Sequence, residues 1–445
     1  MDSSTAGAAA LKRLRTRRGL SLADTARALT QIAQELGMPR LPQVASVQRS
    51  IARWESKSAT MPDERYQLLL AHLYATTPGG SRSLGAGSDF AQYLDALGEL
   101  GESDRRIAEL RNTLVRAVTD DGDGLLALLA PQAGVGLAQA LAEASLLDAE
   151  TVAGLASVVA DVNAQVGSLP FVRLQLMLAP ALEACRRLMA GGPPEPVREC
   201  LRSTWVEAAV LAGRLAFETR DDAASRALYE QATREAACSG QPWRQASVHL
   251  SHALTVLYAS PDIADAAALV GKAVRAAGGG ESRLVRARAH ALQAEVAARS
   301  GQSRQSGAAL DLARYDIERH SPDDDPLPGA FAAEYLRGFE GVCQLYVGDP
   351  ALAHDQFASS ARSLGAPRQR VQRIIVTTDQ ALARIQLGEP RAAADLLHEC
   401  VMEAAATGGR VPLIRLRRAH SELRPWRQEV FVADLEDHLV GVLGR

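Results

Sequence analysis

An all-α chain is predicted, a small helical bundle followed by a stack of helical hairpins, and three observations predict it. Alanine is the commonest residue, while aromatics make up only 4% of the 445 residues. Small side chains with little β-branching or aromatic bulk favour closely packed helices over sandwiches and barrels. No run of alternating apolar and polar residues reads as a strand, and beyond residue 195 small and large side chains recur at fixed offsets with periods near 40. The length is ample for two to four domains with a sizeable core.

The first elements follow from caps and breakers. Residues 8–18, AAALKRLRTRR, form a basic amphipathic helix stopped by Gly19. Ser21-Leu22-Ala23-Asp24 is a capping box that opens a second helix, with Leu22, Ala26, Leu29, Ile32, Ala33 and Leu36 on its apolar face. Gly37 and Pro39 end that helix, so residues 38–43 (MPRLPQ) are loop. Ser46 can cap a third helix, in which Ile51 and Trp54 face inward and Gln48, Arg49 and Arg53 lie opposite. Pro62 breaks the chain, and Asp63 begins a fourth helix with Tyr66, Leu69, Leu70 and Leu73 buried.

The run RLRTRRGLSLADTA (13–26), followed by SIARWE (50–55) and MPDERY (61–66), resembles the XRE (phage repressor-like) helix-turn-helix family over about 65 residues. One departure is clear: residues 30–45 insert a longer second helix and a longer loop where the family has a tight turn. The resemblance implies an N-terminal helix-turn-helix bundle that binds double-stranded DNA. A recognition helix sets its outer face against base edges in the major groove, which assigns base contacts to Gln48, Arg49 and Arg53. Arginine pairs bidentately with guanine and glutamine with adenine. Arg15, Arg17, Arg18, Ser46, Ser50 and Lys57 are assigned to phosphates, which supply affinity and salt dependence rather than sequence choice.

Charge supports a division of labour. The formal net charge is −3, yet residues 1–75 carry eleven basic and six acidic side chains, so the remainder is acidic. Residues 76–89 (TTPGGSRSLGAGSD) read as a flexible linker between the two parts. The stretch 90–195 is a helical connecting region in which Leu97, Ile107, Leu110, Leu114 and Ala117 make a stripe that serves either a dimer or the core.

From 196 to 445, turns recur at Thr219, Pro261, Gly301, Gly348 and Gly388. Five residues after each stands a small residue, and nine after each a large one: Leu228, Val270, Leu310, Phe357 and Leu397. Small residues also stand seven before most of the turns. This small–large–small pattern is that of stacked antiparallel hairpins, and it resembles the tetratricopeptide repeat, an α-solenoid, over about residues 197–415. SELRPW and QEVFVADLEDHLVGVL then read as a capping helix pair. The whole resembles actinobacterial XRE-plus-tetratricopeptide regulators, which implies a homodimer reading a near-palindromic site and a repeat groove taking a peptide or small-molecule effector. The rival reading is a repeat scaffold whose head has lost DNA binding and serves protein interaction.

Other functions find little support. No Walker A, HExxH or GxSxG pattern occurs, and no cofactor is implied. His249 and His252 share a helix face without a third ligand nearby, and Asp323-Asp324-Asp325, flanked by prolines, reads as a solvated loop. The five cysteines form no CxxC pair and read as buried thiols of a reducing, cytoplasmic protein. No stretch is long and apolar enough for a membrane span, and the N-terminus lacks the apolar core of a signal peptide.

Overall fold

A computed structural model describes residues 3–38, 40–56, 60–78, 84, 88–119, 134–260, 262–321, 323, 325–327, 329 and 331–443. Among these the fold is all-α, with no strand. No described helix is long and apolar enough to cross a membrane. The chain divides into two compact units, Met1–Val158 with Gln175–Arg198, and Val159–Leu174 with Glu199–Arg445.

The first unit opens with α1 (Ser3–Arg17), α2 (Leu22–Glu35), α3 (Val44–Trp54) and α4 (Glu64–Ala75). Helix α1 begins five residues before its predicted start, because the alanine-rich segment ahead of Leu11 is itself a good helix former. Its end is as read: Gly19 takes a left-handed backbone (φ 68°), and the Leu20 N–H reaches back to the Arg15 carbonyl at 3.2 Å. The Ser21–Asp24 capping box forms in full. Gly37 (φ 66°) stops α2, and the Met38 N–H bonds the Ala33 carbonyl at 2.8 Å. Residues 36–38 and 40–43 belong to the predicted longer connection, pinned to the core by buried Met38 and Leu41. Helix α3 starts at Val44 rather than after Ser46, which therefore lies within the first turn and caps nothing. Asp63 caps α4, accepting from the Arg65 and Tyr66 N–H groups at 3.1 Å.

The bundle does not end at residue 75. Every side chain of α4 from Arg65 to His72 is buried, a circumference that α1–α3 alone cannot cover. Two further helices, α5 (Asp89–Glu99) and α6 (Asp104–Thr119), supply Phe90, Tyr93, Leu94, Leu97, Leu110 and Leu114 to the same core. The Leu97–Leu114 stripe, left open between a dimer seam and a core, is therefore core, with Ile107 packed against it; the side chain of Ala117 lies outside the described residues. Of the predicted linker, residues 79–83 and 85–87 lie outside the described residues; Ser88 caps α5. Helices α7 (Gly134–Ala142), α8 (Ala149–Ala164) and α9 (Phe171–Ala190) follow, and Ala179 of α9 joins the same core.

The second unit is a succession of hairpins: α10 (Val197–Glu218) with α11 (Asp222–Cys238), α12 (Pro242–Ala259) with α13 (Ala264–Ala277), α14 (Arg283–Arg299) with α15 (Ser303–Glu318), α16 (Ala333–Val347) with α17 (Pro350–Ser363), and α18 (Arg370–Gln386) with α19 (Pro390–Thr407). First helices stack on first helices, α12 on α14, α14 on α16 and α16 on α18. Gly301, Gly348 and Gly388 hold left-handed turns as read (φ 73°, 100° and 78°); Pro261 lies outside the described residues. In the first hairpin the register is one residue later than predicted. Arg220, not Thr219, occupies the left-handed position (φ 67°), so Ser225 and Tyr229, not Ala224 and Leu228, point inward.

Small residues of first helices receive the large ones of second helices. A Cβ at Gly341 would sit 2.7 Å from the Phe357 ring, and one at Gly213 would sit 3.0 Å from the Tyr229 ring. Gly341→Ala is therefore expected to cost about 1–3 kcal/mol by overpacking, measured by urea unfolding.

Helices α20 (Arg410–Glu422) and α21 (Val430–Leu443) cover the last apolar face; α21 lies where it was read, but SELRPW holds only the end of α20 and the short 3-10 turn Arg424–Trp426, so the first helix of the pair begins earlier in the chain than predicted. Helix α20 does more than cap. The Val411 N–H donates to Glu218 Oε2 at 3.0 Å, and Arg410 pairs with Asp222 while lying 4.5 Å over the Phe217 ring. Arg415 pairs with Asp379, donates to the Tyr258 hydroxyl and lies 4.7 Å over that ring. The stack thus curves until its last hairpin meets its first two.

Two polar features differ from their sequence reading. Asp325 is buried rather than solvated: it accepts from the Ser282 hydroxyl (2.7 Å) and from the Leu284 and Leu327 N–H groups (3.1 and 2.9 Å), tying residues 325–327 to the start of α14. Asp324 lies outside the described residues. Cys185, Cys343 and Cys400 are buried, but Cys200 and Cys238 are exposed.

His249 and His252 lie on α12, and burial holds both imidazoles below the usual range; Lys272 and Arg275 add to this for His249, and His249 adds to it for His252. The unfolded chain then takes up protons first as pH falls below about 6.5. Unit stability is accordingly expected to be full above that pH and to drop as it falls further, through the lowered native values. Urea melts at pH 7.5 and 5.5 measure the loss, and His249→Gln should reduce it.

Candidate nucleic-acid interface

The candidate interface is the outer face of α3. Its inner face is fixed by Val47, Ile51 and Trp54, spaced i, i+4 and i+7 and all buried, with the Trp54 and Tyr66 rings 5.0 Å apart. That spacing sends Ala45, Arg49, Ala52 and Arg53 to solvent, with Gln48 half-buried beside them. Arg49 donates to Ser46 Oγ at 3.1 Å and Arg53 to Ser50 Oγ at 3.3 Å. Neither arginine reaches a carboxylate among the described residues. The two alanines add little bulk to this face, from which the two guanidinium forks reach solvent with the half-buried Gln48 amide beside them.

The residues assigned to phosphates separate into three groups. Arg15 is a correction. It is buried, donating from Nε and Nη2 to the two oxygens of Glu55 at 2.7 Å each and from Nη1 to the Leu20 carbonyl at 2.7 Å. The hydrogen bond to Glu55 raises its already high pKa further. This fork binds the end of α1 to the end of α3 and so fixes the angle of the candidate reading helix. Arg18 is the second correction. Its guanidinium donates to the Leu73, Tyr74 and Thr76 carbonyls (2.7, 3.0 and 2.9 Å) and to Asp89 (2.6 Å), closing the C-terminal end of α4. Three N–H groups of Arg15 and four of Arg18 are thus held inside the bundle, and with side chains only 10% and 9% exposed neither presents its fork to a phosphate.

Arg17 is exposed but paired with Asp89, and also donates to Gln92 at 3.0 Å. Burial opposes ionisation of Asp89, yet Arg18 and Arg17 outweigh it and hold the carboxyl below its ordinary range. Ser46 and Ser50 remain on the outer side of α3 as hydroxyl acceptors for Arg49 and Arg53. Lys57 lies outside the described residues.

The positions of Arg15 and Arg18 carry a signal that charge counting passes over. Leu11, Leu14, Arg15 and Arg18 are spaced i, i+3, i+4 and i+7, so both arginines share the buried stripe of α1. Conversely, Arg40 was not singled out from the sequence. It is exposed on the loop ahead of α3, between the anchors Met38 and Leu41.

No group of three or more histidine, cysteine or acidic side chains is placed to hold a metal among the described residues. No family model matches the chain, and no curated protein matches it.

Proposed function

We propose that the chain is a cytoplasmic, sequence-specific DNA-binding transcriptional regulator, with α3 as its reading helix. The observation that carries this reading is the outer face of α3: Arg49 and Arg53 stand exposed without carboxylate partners among the described residues, on a helix locked from behind by Val47, Ile51, Trp54 and the Arg15–Glu55 fork. Set in a major groove, each fork can take the O6 and N7 of a guanine, and Gln48 can take an adenine edge. Affinity comes from exposed basic groups, Arg40 ahead of α3 and Arg17 at the end of α1 included, rather than from Arg15 or Arg18. A homodimer would present two such helices to inverted half-sites. The repeat unit, with its curved stack of first helices, is the part suited to sensing a peptide or small molecule.

Electrostatic attachment has a direct measurement. The affinity of the full chain for a selected duplex is expected to fall linearly in a log–log plot against salt, with a slope of about −0.9 for each phosphate neutralised. Affinity indifferent to salt would remove the DNA reading and leave the scaffold reading in its place.

A further inference from the structure

Helices α19 and α21 meet through polar as well as apolar side chains. Leu397 and Val401 of α19 share one core with Leu435 and Leu439 of α21. At its edge the Arg391 guanidinium lies 5.1 Å over the Phe431 ring, and His398 Nδ1 stands 2.9 Å from His438 Nδ1. In both pairs the partner stands forty positions further along the chain, and seven residues separate the pairs on either helix. The two helices therefore run in the same direction, in a register that two independent contacts fix.

The histidine pair is the unusual contact. Both side chains are half-buried, and their ring planes lie 21° apart with centroids at 5.1 Å, so the rings meet nitrogen to nitrogen rather than face to face. A neutral imidazole has one N–H and one lone pair, so one Nδ1 donates and the other accepts. Two imidazole nitrogens brought together from separate helices also begin a metal site. Bonds of about 2.0–2.1 Å to a tetrahedral zinc set two nitrogens roughly 3.3 Å apart. A slight opening of the pair and a turn of each ring bring both lone pairs onto one point. The proton of the shared bond passes through water to Nε2 of its own ring, and none is gained or lost.

The register supplies further oxygen ligands. Asp395 lies three residues before His398 and Asp434 four before His438, so each carboxylate shares the helix face of its histidine, one turn back. With residue 394 level with 434, the two carboxylates stand on adjacent helices at nearly one height. Both residues are exposed, and neither enters an ion pair among the described residues. As the side chains stand they do not close on the histidines, and no set of three ligands is in place among the described residues. The nitrogens are held by packing, whereas exposed carboxylates are free to turn toward a cation.

We infer that His398 and His438 form the core of a binding site for one divalent cation of the zinc class, completed by Asp395 and Asp434, which ties α21 to α19. Imidazole with carboxylate suits zinc, whereas magnesium and calcium take sets of oxygen alone. The site stands whether or not α3 reads DNA.

The test is equilibrium dialysis and thermal melting of the full chain without DNA, first treated with chelator and then given Zn²⁺, Mg²⁺ or Ca²⁺. A rise in melting temperature with Zn²⁺, absent with equal Mg²⁺ or Ca²⁺, is expected. The exposed thiols of Cys200 and Cys238 can also take zinc, so variants assign the site. His398→Gln is expected to lose one bound zinc per chain together with the rise. Asp395→Asn/Asp434→Asn changes only exposed side chains, so it should fold even where His398→Gln does not, and should bind that zinc roughly tenfold or more weakly. No rise with Zn²⁺, an equal rise with Mg²⁺ or Ca²⁺, a folded His398→Gln that keeps its full zinc and rise, or unchanged zinc affinity in the double aspartate variant would overturn the site.

Discussion

Arg49→Ala is expected to weaken binding to the selected operator by roughly 5- to 150-fold, the loss that accompanies one bidentate arginine–guanine contact of about 1–3 kcal/mol. Binding to unrelated duplex should fall far less, because a base contact contributes nothing there. Arg49 meets only the Ser46 hydroxyl in the folded protein, so its removal leaves no buried charge behind and the head should melt as before. A mobility-shift titration against specific and unrelated duplexes reads both affinities. Equal losses on the two would reassign Arg49 to phosphate contact. Arg53 stands in the same relation to Ser50, one turn on, and its alanine variant should behave alike at a different base position.

Arg15→Leu is expected to act in the opposite way, destabilising the head by about 3–5 kcal/mol because it strands the Glu55 carboxylate among apolar neighbours. Both side chains are largely buried, at 10% and 8% exposure, so the surface-pair discount does not apply. The double variant Arg15→Leu/Glu55→Gln should recover much of the loss, since no unpaired charge remains. A phosphate-contact role for Arg15 makes a different forecast: unchanged urea unfolding and a shallower salt dependence of DNA binding. The two measurements together separate a residue that orients α3 from one that touches DNA.

What the sequence made legible was mostly local. The capping box at Ser21, the stops at Gly19 and Gly37 and the cap at Asp63 are short-range chemistry, and each placed a helix end correctly. The inward set of α3 followed from helical spacing, which also left Gln48, Arg49 and Arg53 on the opposite side. The hairpin register was readable wherever a glycine marks the left-handed turn, and slipped by one where Arg220 takes that role. Ser46 misled for a related reason: a capping residue type is no cap when the preceding two residues can continue the helix.

Long-range pairing was not legible. Arg15 and Glu55 stand forty residues apart, and only their meeting turns a basic cluster into a brace. The extent of the first core escaped because a Gly- and Ser-rich stretch reads as a boundary, while the all-round burial of α4 demands partners beyond it. The meeting of α20 with α10 and α12 depends on the curvature of a stack, which no single helix encodes.

The central claim is that α3 reads base sequence, and selection from a random duplex library by the purified full chain tests it most directly. The expected result is one enriched motif, two inverted half-sites about one helical turn (roughly 10 base pairs) or a multiple of it apart, whose enrichment is lost with Arg49→Ala. A library that remains unenriched through successive rounds, from protein that is folded by urea melting, would contradict it.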